Sequence, residues 1–173
     1  MNVETGWLGG HALAPIVGGL LMLSLGAVIG AGNGLAVAKL RMPSFMVTLT
    51  TMMFLSGLAI WLTQSKNIPG LPKAFTRIGS QLWITVLIAT LIAGFTSLIL
   101  GRTLFGRWLY GVGQNSKTAN VSGVPVDGVI ITAYATSGLF AAAASIIYTA
   151  RLETGSPVLG QRILLDVIGA SVL

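Results

Sequence analysis

Four long apolar runs dominate the pattern of hydrophobic and polar positions along the chain. They cover residues 12–38, 45–62, 82–101 and 129–150, and none contains a charged side chain. Each reaches or exceeds the roughly 18 residues that a membrane-spanning helix needs. Because the runs are continuous and do not alternate with a period of two, they indicate helices and not the strands of a barrel. The pattern predicts an all-α, polytopic membrane helix bundle.

A fifth run begins at Ile163 and reaches Leu173, where the sequence stops. It is too short to cross a bilayer, so we expect a truncated fifth span. The first run is too long for the core of a signal peptide, so it is predicted to be a membrane span. Residues 1–173 are therefore predicted to form a single, partial transmembrane domain with about four complete spans.

Composition agrees with a protein whose solvent is lipid. The chain is 54% hydrophobic and 8% charged, against about 25% charged in average soluble domains. The net charge of +6 comes from Lys and Arg in short loops without a basic cluster, which argues against nucleic acid as a partner. The sequence has no Cys, which excludes thiol chemistry and thiolate metal sites. It has a single histidine, His11, which argues against a histidine-based catalytic or metal site.

Small residues recur in the first run. Gly26, Gly30 and Gly34 are spaced by four positions and expose a bare helix face. Small residues at this spacing let membrane helices approach closely, so these glycines are predicted to pack against another span.

Polar side chains inside the spans are candidates for a substrate pathway. Asn33 lies in the first run, and its amide needs a partner there; a hydrogen bond between helices and the lining of a polar path are equally good explanations. Thr48 and Thr51 share a helical arc in the second run. Hydroxyls in membrane helices often bond to their own backbone, which weakens the case for a pathway.

The segment GVGQNSKT, from Gly111 to Thr118, nearly matches the phosphate-binding loop G-x-x-x-x-G-K-S/T. Ser116 replaces the second glycine, which the loop needs where backbone amides curl around a phosphate. A phosphate loop also follows a buried strand, whereas this segment follows a membrane span. The segment is therefore not predicted to bind nucleotide.

The same segment predicts a short surface helix over 116–122. Asn115 is a suitable N-cap that can accept from the amides of Lys117 or Thr118. Gly123 supplies a left-handed stop, and Pro125 prevents continuation. Two turns are marginal in water, so the helix needs a surface to pack on; Ala119 and Val121 are predicted to provide a small apolar contact.

Counting basic residues does not orient the bundle. Five Lys and Arg residues fall on each side when the spans alternate. One side has Lys39, Arg41, Arg102, Arg107 and Lys117, and the other has Lys66, Lys73, Arg77, Arg151 and Arg162.

Several segments, in the right order, resemble permease subunits of bacterial ABC importers for ribose, xylose and galactose, within a wider group that includes branched-chain amino-acid permeases. The resemblance covers most of the chain. The segments are NGLAVAKLRMPSFMVTLTTM at 33–52, LPKAF at 71–75, TLFGRWLYGVGQNSKTANVSGV at 103–124, SGLFAAAASIIYTARL at 137–152 and GSPVLGQRILLDVIGASV at 155–172.

The resemblance implies a non-enzymatic permease subunit of the bacterial inner membrane that translocates a monosaccharide. The loop at 102–127 would lie in the cytoplasm and couple to a separate ATPase subunit, so the chain itself needs no cofactor. A periplasmic sugar-binding protein and a second permease copy would be the other partners. A branched-chain amino-acid permease and a non-transporting membrane fragment of a split gene remain alternative interpretations.

The resemblance also assigns the coupling role to individual residues of this chain. Gly113, Asn115, Ala119, Ser122 and Gly123 match the family pattern G-x-N-x-x-x-A-x-x-S-G. Ser116 and Lys117 depart from what the resemblance implies, because these permeases commonly have acidic residues there, and Lys117 would repel basic groups on the ATPase.

Overall fold

The computed structural model describes residues 14–67, 81–157 and 160, and this part of the chain contains six helices. They are α1 (Ala14–Lys39), α2 (Ser44–Thr63), α3 (Leu82–Arg102), α4 (Leu104–Gln114), α5 (Ser116–Val121) and α6 (Val126–Leu152). Helices α1, α2, α3 and α6 are long and apolar enough to cross a membrane. The prediction of an all-helical bundle with four spans is confirmed, while the fifth run at 163–173 lies outside the described residues.

The pair α1 and α6 makes the most extensive helix contact in the described part of the chain. The two helices run antiparallel, because Gly26 lies beside Gly138 and Ala142 whereas Gly34 lies beside Ile131. At one end of the pair, Lys39 Nζ lies 3.6 Å from Asp127 Oδ2. This end of the bundle, which also carries α4 and α5, is called the α5 end below.

The other two spans pack more loosely. Helix α2 makes a smaller contact with α1, and α3 contacts α4. A groove of about 760 Å³ separates α3 from α6. Few described side chains are fully buried, and most large apolar side chains of the spans face outwards. In a bilayer this exposure has little cost, since lipid tails are as apolar as the side chains they meet.

The segment between α3 and α6 contains one helix more than the sequence predicted. Helix α4 precedes the short helix α5. Its partly buried apolar side chains Phe105, Leu109 and Val112 recur at helical spacing and form one face of an amphipathic helix. Thr103 caps α4, its hydroxyl accepting from the backbone N–H of Gly106 at 3.3 Å. The loop at 102–127 is thus mostly helical.

Candidate functional site

An open cavity of about 560 Å³ lies between α1, α2 and α6. Apolar and small side chains form most of its wall. Its polar side chains are Asn33, Thr48, Thr51, Tyr134, Ser137 and Ser145. No charged side chain is among the described residues that line it. All three residues predicted for a substrate pathway therefore lie at one cavity, which we call the central cavity.

Asn33 of α1 and Thr51 of α2 form a hydrogen bond between the two helices. The Thr51 hydroxyl donates to Asn33 Oδ1 at 2.6 Å, and the pair is partly buried. Among the described residues, no buried polar side-chain atom lacks a hydrogen-bond partner. Asn33 therefore bonds to a neighbouring helix and also lines the central cavity, while its role in a substrate pathway stays a prediction.

Thr51 differs from the other hydroxyl side chains of the spans. Thr48 donates to two carbonyls of its own helix, Ser44 at 3.0 Å and Phe45 at 3.1 Å. Thr96 behaves in the same way, donating to Ile92 at 2.7 Å. In the described part of the chain, the hydrogen bond from Thr51 is the only one that joins side chains of different helices. Thr48 follows the expected back-bonding, and Thr51 does not.

One wall of the central cavity is set by the close approach of α1 and α6. A Cβ added at Gly26 would lie 2.6 Å from the Gly138 carbonyl oxygen, and one added at Gly34 would lie 2.8 Å from Ile131 Cα. A Cβ at Gly30 would overlap the carbonyl of Tyr134. The structure therefore places all three glycines of the sequence stripe against α6, and any side chain there would push the helices apart.

Helix α5 has the cap that its sequence predicts. Asn115 Oδ1 accepts from the backbone N–H groups of Lys117 at 3.0 Å and Thr118 at 3.2 Å. Gly123 has the predicted left-handed conformation, with φ of 81°. The Ser122 hydroxyl donates to the Thr118 carbonyl at 3.0 Å. Asn115 therefore satisfies two orphan N–H groups at the start of a helix that is only six residues long. At the other end, the backbone N–H groups of Gly123 and Val124 donate to the carbonyls of Asn120 and Ala119.

The predicted apolar contact of α5 is only half right. Ala119 is buried, but Val121 is 91% exposed, so the two side chains point in different directions. On a helix, positions two apart lie on opposite sides, which is why they cannot share one contact. Ser116 and Lys117 are also exposed, as is Gly113 near the end of α4. The outer surface of α5 is thus open to a partner.

The near match to a phosphate-binding loop has no suitable structural context. Residues from Gly111 to Gln114 form the last turn of α4, and Asn115 separates them from α5. A phosphate loop needs a strand before its glycines, and here a helix occupies that position.

The whole chain matches a family of membrane transport proteins. Residues 2–173 match the model for the permease component of the branched-chain amino acid transport system. The chain belongs to this family. With four span-capable helices, the permease chain is a multi-pass protein of the bacterial inner membrane.

Curated relatives give a more detailed comparison. The permease chain is 38% identical over 148 residues to the ribose import permease protein RbsC of Bacillus subtilis, covering 82% of this chain and 46% of RbsC. It is 34% identical over 160 residues to the autoinducer 2 import system permease protein LsrC of Photorhabdus laumondii, covering 87% and 48%. The chain therefore spans about half the length of these relatives. No solved structure matches it.

Tyr134, Ser137 and Ser145 were not predicted to line a cavity. Gly138 and Ala142 of the same helix pack against Gly26. Ser137 and Ser145 follow Tyr134 by three and eleven positions, which returns to the same helix face. This helical spacing is visible in the sequence and shows that the three side chains share a face. It does not show whether that face packs against another helix or lines a cavity.

Proposed function

We propose that this chain is part of the membrane-spanning permease subunit of an ATP-driven, binding-protein-dependent importer, and that it translocates a monosaccharide. The observation that carries the proposal is the capped, outward-facing helix α5 on a chain that matches a permease family throughout. The loop at 102–127 is then cytoplasmic, and the α5 end of the bundle faces the ATPase subunit.

The connections of α5 suit it to transmit motion. Asn115 ends α4 and begins α5, so the two helices share one residue. On the other side, the backbone N–H of Val124 donates to the Ala119 carbonyl at 3.1 Å, immediately before α6 begins. Displacement of α5 by an ATPase would therefore reach α3 through α4, and α6 directly.

The substrate class follows from the central cavity. Its polar side chains are one amide and several hydroxyls, which suit the neutral hydroxyl groups of a sugar. A free amino acid carries a carboxylate and an ammonium group, and these need compensating charge when buried. No charged side chain lies among the described lining residues, and the relatives named for ribose and autoinducer 2 import support the same choice.

Three partners complete the proposal. The ATPase subunit docks on the exposed surface of α5, where Lys117 favours a docking groove with acidic side chains. A periplasmic binding protein delivers the sugar to the opposite end of the bundle. A second permease copy forms the other wall of the translocation path.

Coupling can be tested with matched variants of α5. Asn115→Ala removes the cap and is expected to cost α5 about 1 kcal/mol; Gly123→Ala strains the left-handed turn. In the full-length permease, reconstituted with its ATPase and binding protein, both variants should keep ATPase activity while losing most sugar uptake. Asn120→Ala lies in the same helix but makes no cap, and it serves as the control. Normal coupling in both cap variants would refute the assignment of α5.

Substrate class needs a separate measurement. Uptake of radiolabelled ribose, xylose, galactose and leucine is compared in the same proteoliposomes, with and without ATP. The proposal expects ATP-dependent uptake of at least one sugar and none of leucine. Uptake of leucine alone would identify an amino-acid permease, and the absence of any ATP-dependent uptake would contradict the proposed import function.

A further inference from the structure

The turn between α3 and α4 places α4 at the depth where the α3 span ends. Thr103 has an extended backbone, and its hydroxyl donates to the Ile99 carbonyl at 2.6 Å. Gly106 is buried, and a Cβ there would overlap the carbonyl of Leu100. The first turn of α4 therefore packs beside the last turn of α3. Since α3 is a span, this part of α4 lies at the boundary of the bilayer.

Helix α4 exposes large apolar side chains at that boundary. Leu104 and Trp108 lie one turn apart and are 58% and 38% exposed, whereas Phe105 and Leu109 are partly buried. Trp is favoured at the level of lipid headgroups, because its ring is apolar and its N–H is polar. A short amphipathic helix with this pattern lies in the membrane interface.

The charge at the same end favours an anionic surface. Five basic side chains of the α5 end are exposed: Lys39, Arg41, Arg102, Arg107 and Lys117. The carboxylate of Asp127 is already paired with Lys39. Among the described residues, no carboxylate pairs with Arg102 or Arg107. These two arginines flank Leu104 in sequence, so unpaired positive charge borders the exposed apolar side chains.

We propose that Arg102, Leu104, Arg107 and Trp108 form a binding site for anionic phospholipid headgroups, which we call the interfacial patch. Leu104 and Trp108 enter the boundary of the acyl chains, and the two guanidinium groups bind the phosphate and its neighbouring anionic groups. Because α4 shares Asn115 with α5, a lipid held at the interfacial patch also restrains the position of α5. The proposal does not depend on which substrate is transported.

The test uses the full-length permease in nanodiscs. Nanodiscs of phosphatidylcholine alone are compared with nanodiscs that contain equal amounts of phosphatidylcholine and phosphatidylglycerol, and retained lipids are counted by native mass spectrometry. The pair Arg102→Gln and Arg107→Gln should weaken phosphatidylglycerol binding about tenfold at low salt. The control pair Lys66→Gln and Arg151→Gln removes the same charge at the other end of the bundle and should leave this site unchanged. Equal losses of phosphatidylglycerol binding in both pairs would show that the effect comes from net charge alone and would overturn the proposal.

A second readout follows Trp108 itself. In a variant in which every other tryptophan of the full-length permease, including Trp7, Trp61 and Trp83, is changed to Phe, the fluorescence of Trp108 should be quenched by lipids brominated near the headgroup more strongly than by lipids brominated at the chain end. Salt should weaken phosphatidylglycerol binding without changing this quenching, because salt screens the arginines but not the apolar contact. Trp108 fluorescence that no brominated lipid quenches would place α4 away from the membrane and also overturn the proposal.

Discussion

The α1–α6 pair and the α3 span carry the same kind of small-residue stripe, yet only the first is tightly packed. In α1, Gly26, Gly30 and Gly34 lie against the backbone of α6. In α3, small residues at the same four-residue spacing face the open groove beside α6. These residues are Ala89, Ala93, Ser97 and Gly101.

The difference comes from what α6 presents to each helix. Towards α1 it offers Gly138, so the two backbones meet where neither helix has a side chain. Towards α3 the groove-lining residues of α6 are Phe140, Ala143, Ala144 and Ile147, and none of them is a glycine. A stripe of small residues on one helix therefore shows only what that helix permits, and close approach depends on what the partner helix presents.

The largest effect is expected from a bulky side chain in the packed pair. Gly30→Leu would overlap the carbonyl of Tyr134 and should destabilise the bundle by about 3 kcal/mol, as overpacking does in a tight core. A Cβ added at Gly94 in α3 meets no atom within 4 Å, so Gly94→Leu should be close to neutral. Unfolding of both variants in mixed detergent micelles measures the difference. Equal destabilisation would show that α3 is packed as tightly as α1.

A smaller effect is expected from the hydrogen bond that joins α1 and α2. Thr51→Val removes the donor to Asn33 and should cost about 0.6 kcal/mol, the average for such bonds between membrane helices. Thr96→Val in α3 removes only a bond within its own helix. The same unfolding measurement, combined with Asn33→Leu in a double-mutant cycle, isolates the interaction. A coupling energy near zero would mean that the Thr51–Asn33 bond does not stabilise the bundle.

The smallest effect is expected from the ion pair at the end of the packed helices. Lys39 and Asp127 are 64% and 55% exposed, so Lys39→Gln should cost only about 0.3 kcal/mol. Raising the salt concentration should remove this difference from the wild type, since exposed charges are screened. A loss that persists in high salt would have to come from packing by the lysine stem.

Local features of the site were predictable from the sequence. The N-cap at Asn115 depends only on residues within one turn of Asn115, and the left-handed turn at Gly123 is likewise local. Both were identified correctly. Helix α4 was missed because its Arg and Gly residues placed it within a segment interpreted as a polar loop. The opposite directions of Ala119 and Val121 were also predictable from helix geometry, but the surface that buries Ala119 was not.

The sequence by itself determined the four spans, the bare face of α1 and the caps of α5, because hydrophobic length, glycine spacing and capping chemistry act over one helix at a time. Only the tertiary structure decided that α1 packs on α6 and that α3 does not. It also brought Thr51 to Asn33 and left Thr48 bonded to its own helix. The physical reason is that these outcomes depend on two surfaces meeting, and the second surface lies 18 residues away for the Thr51–Asn33 pair and farther along the chain for α6.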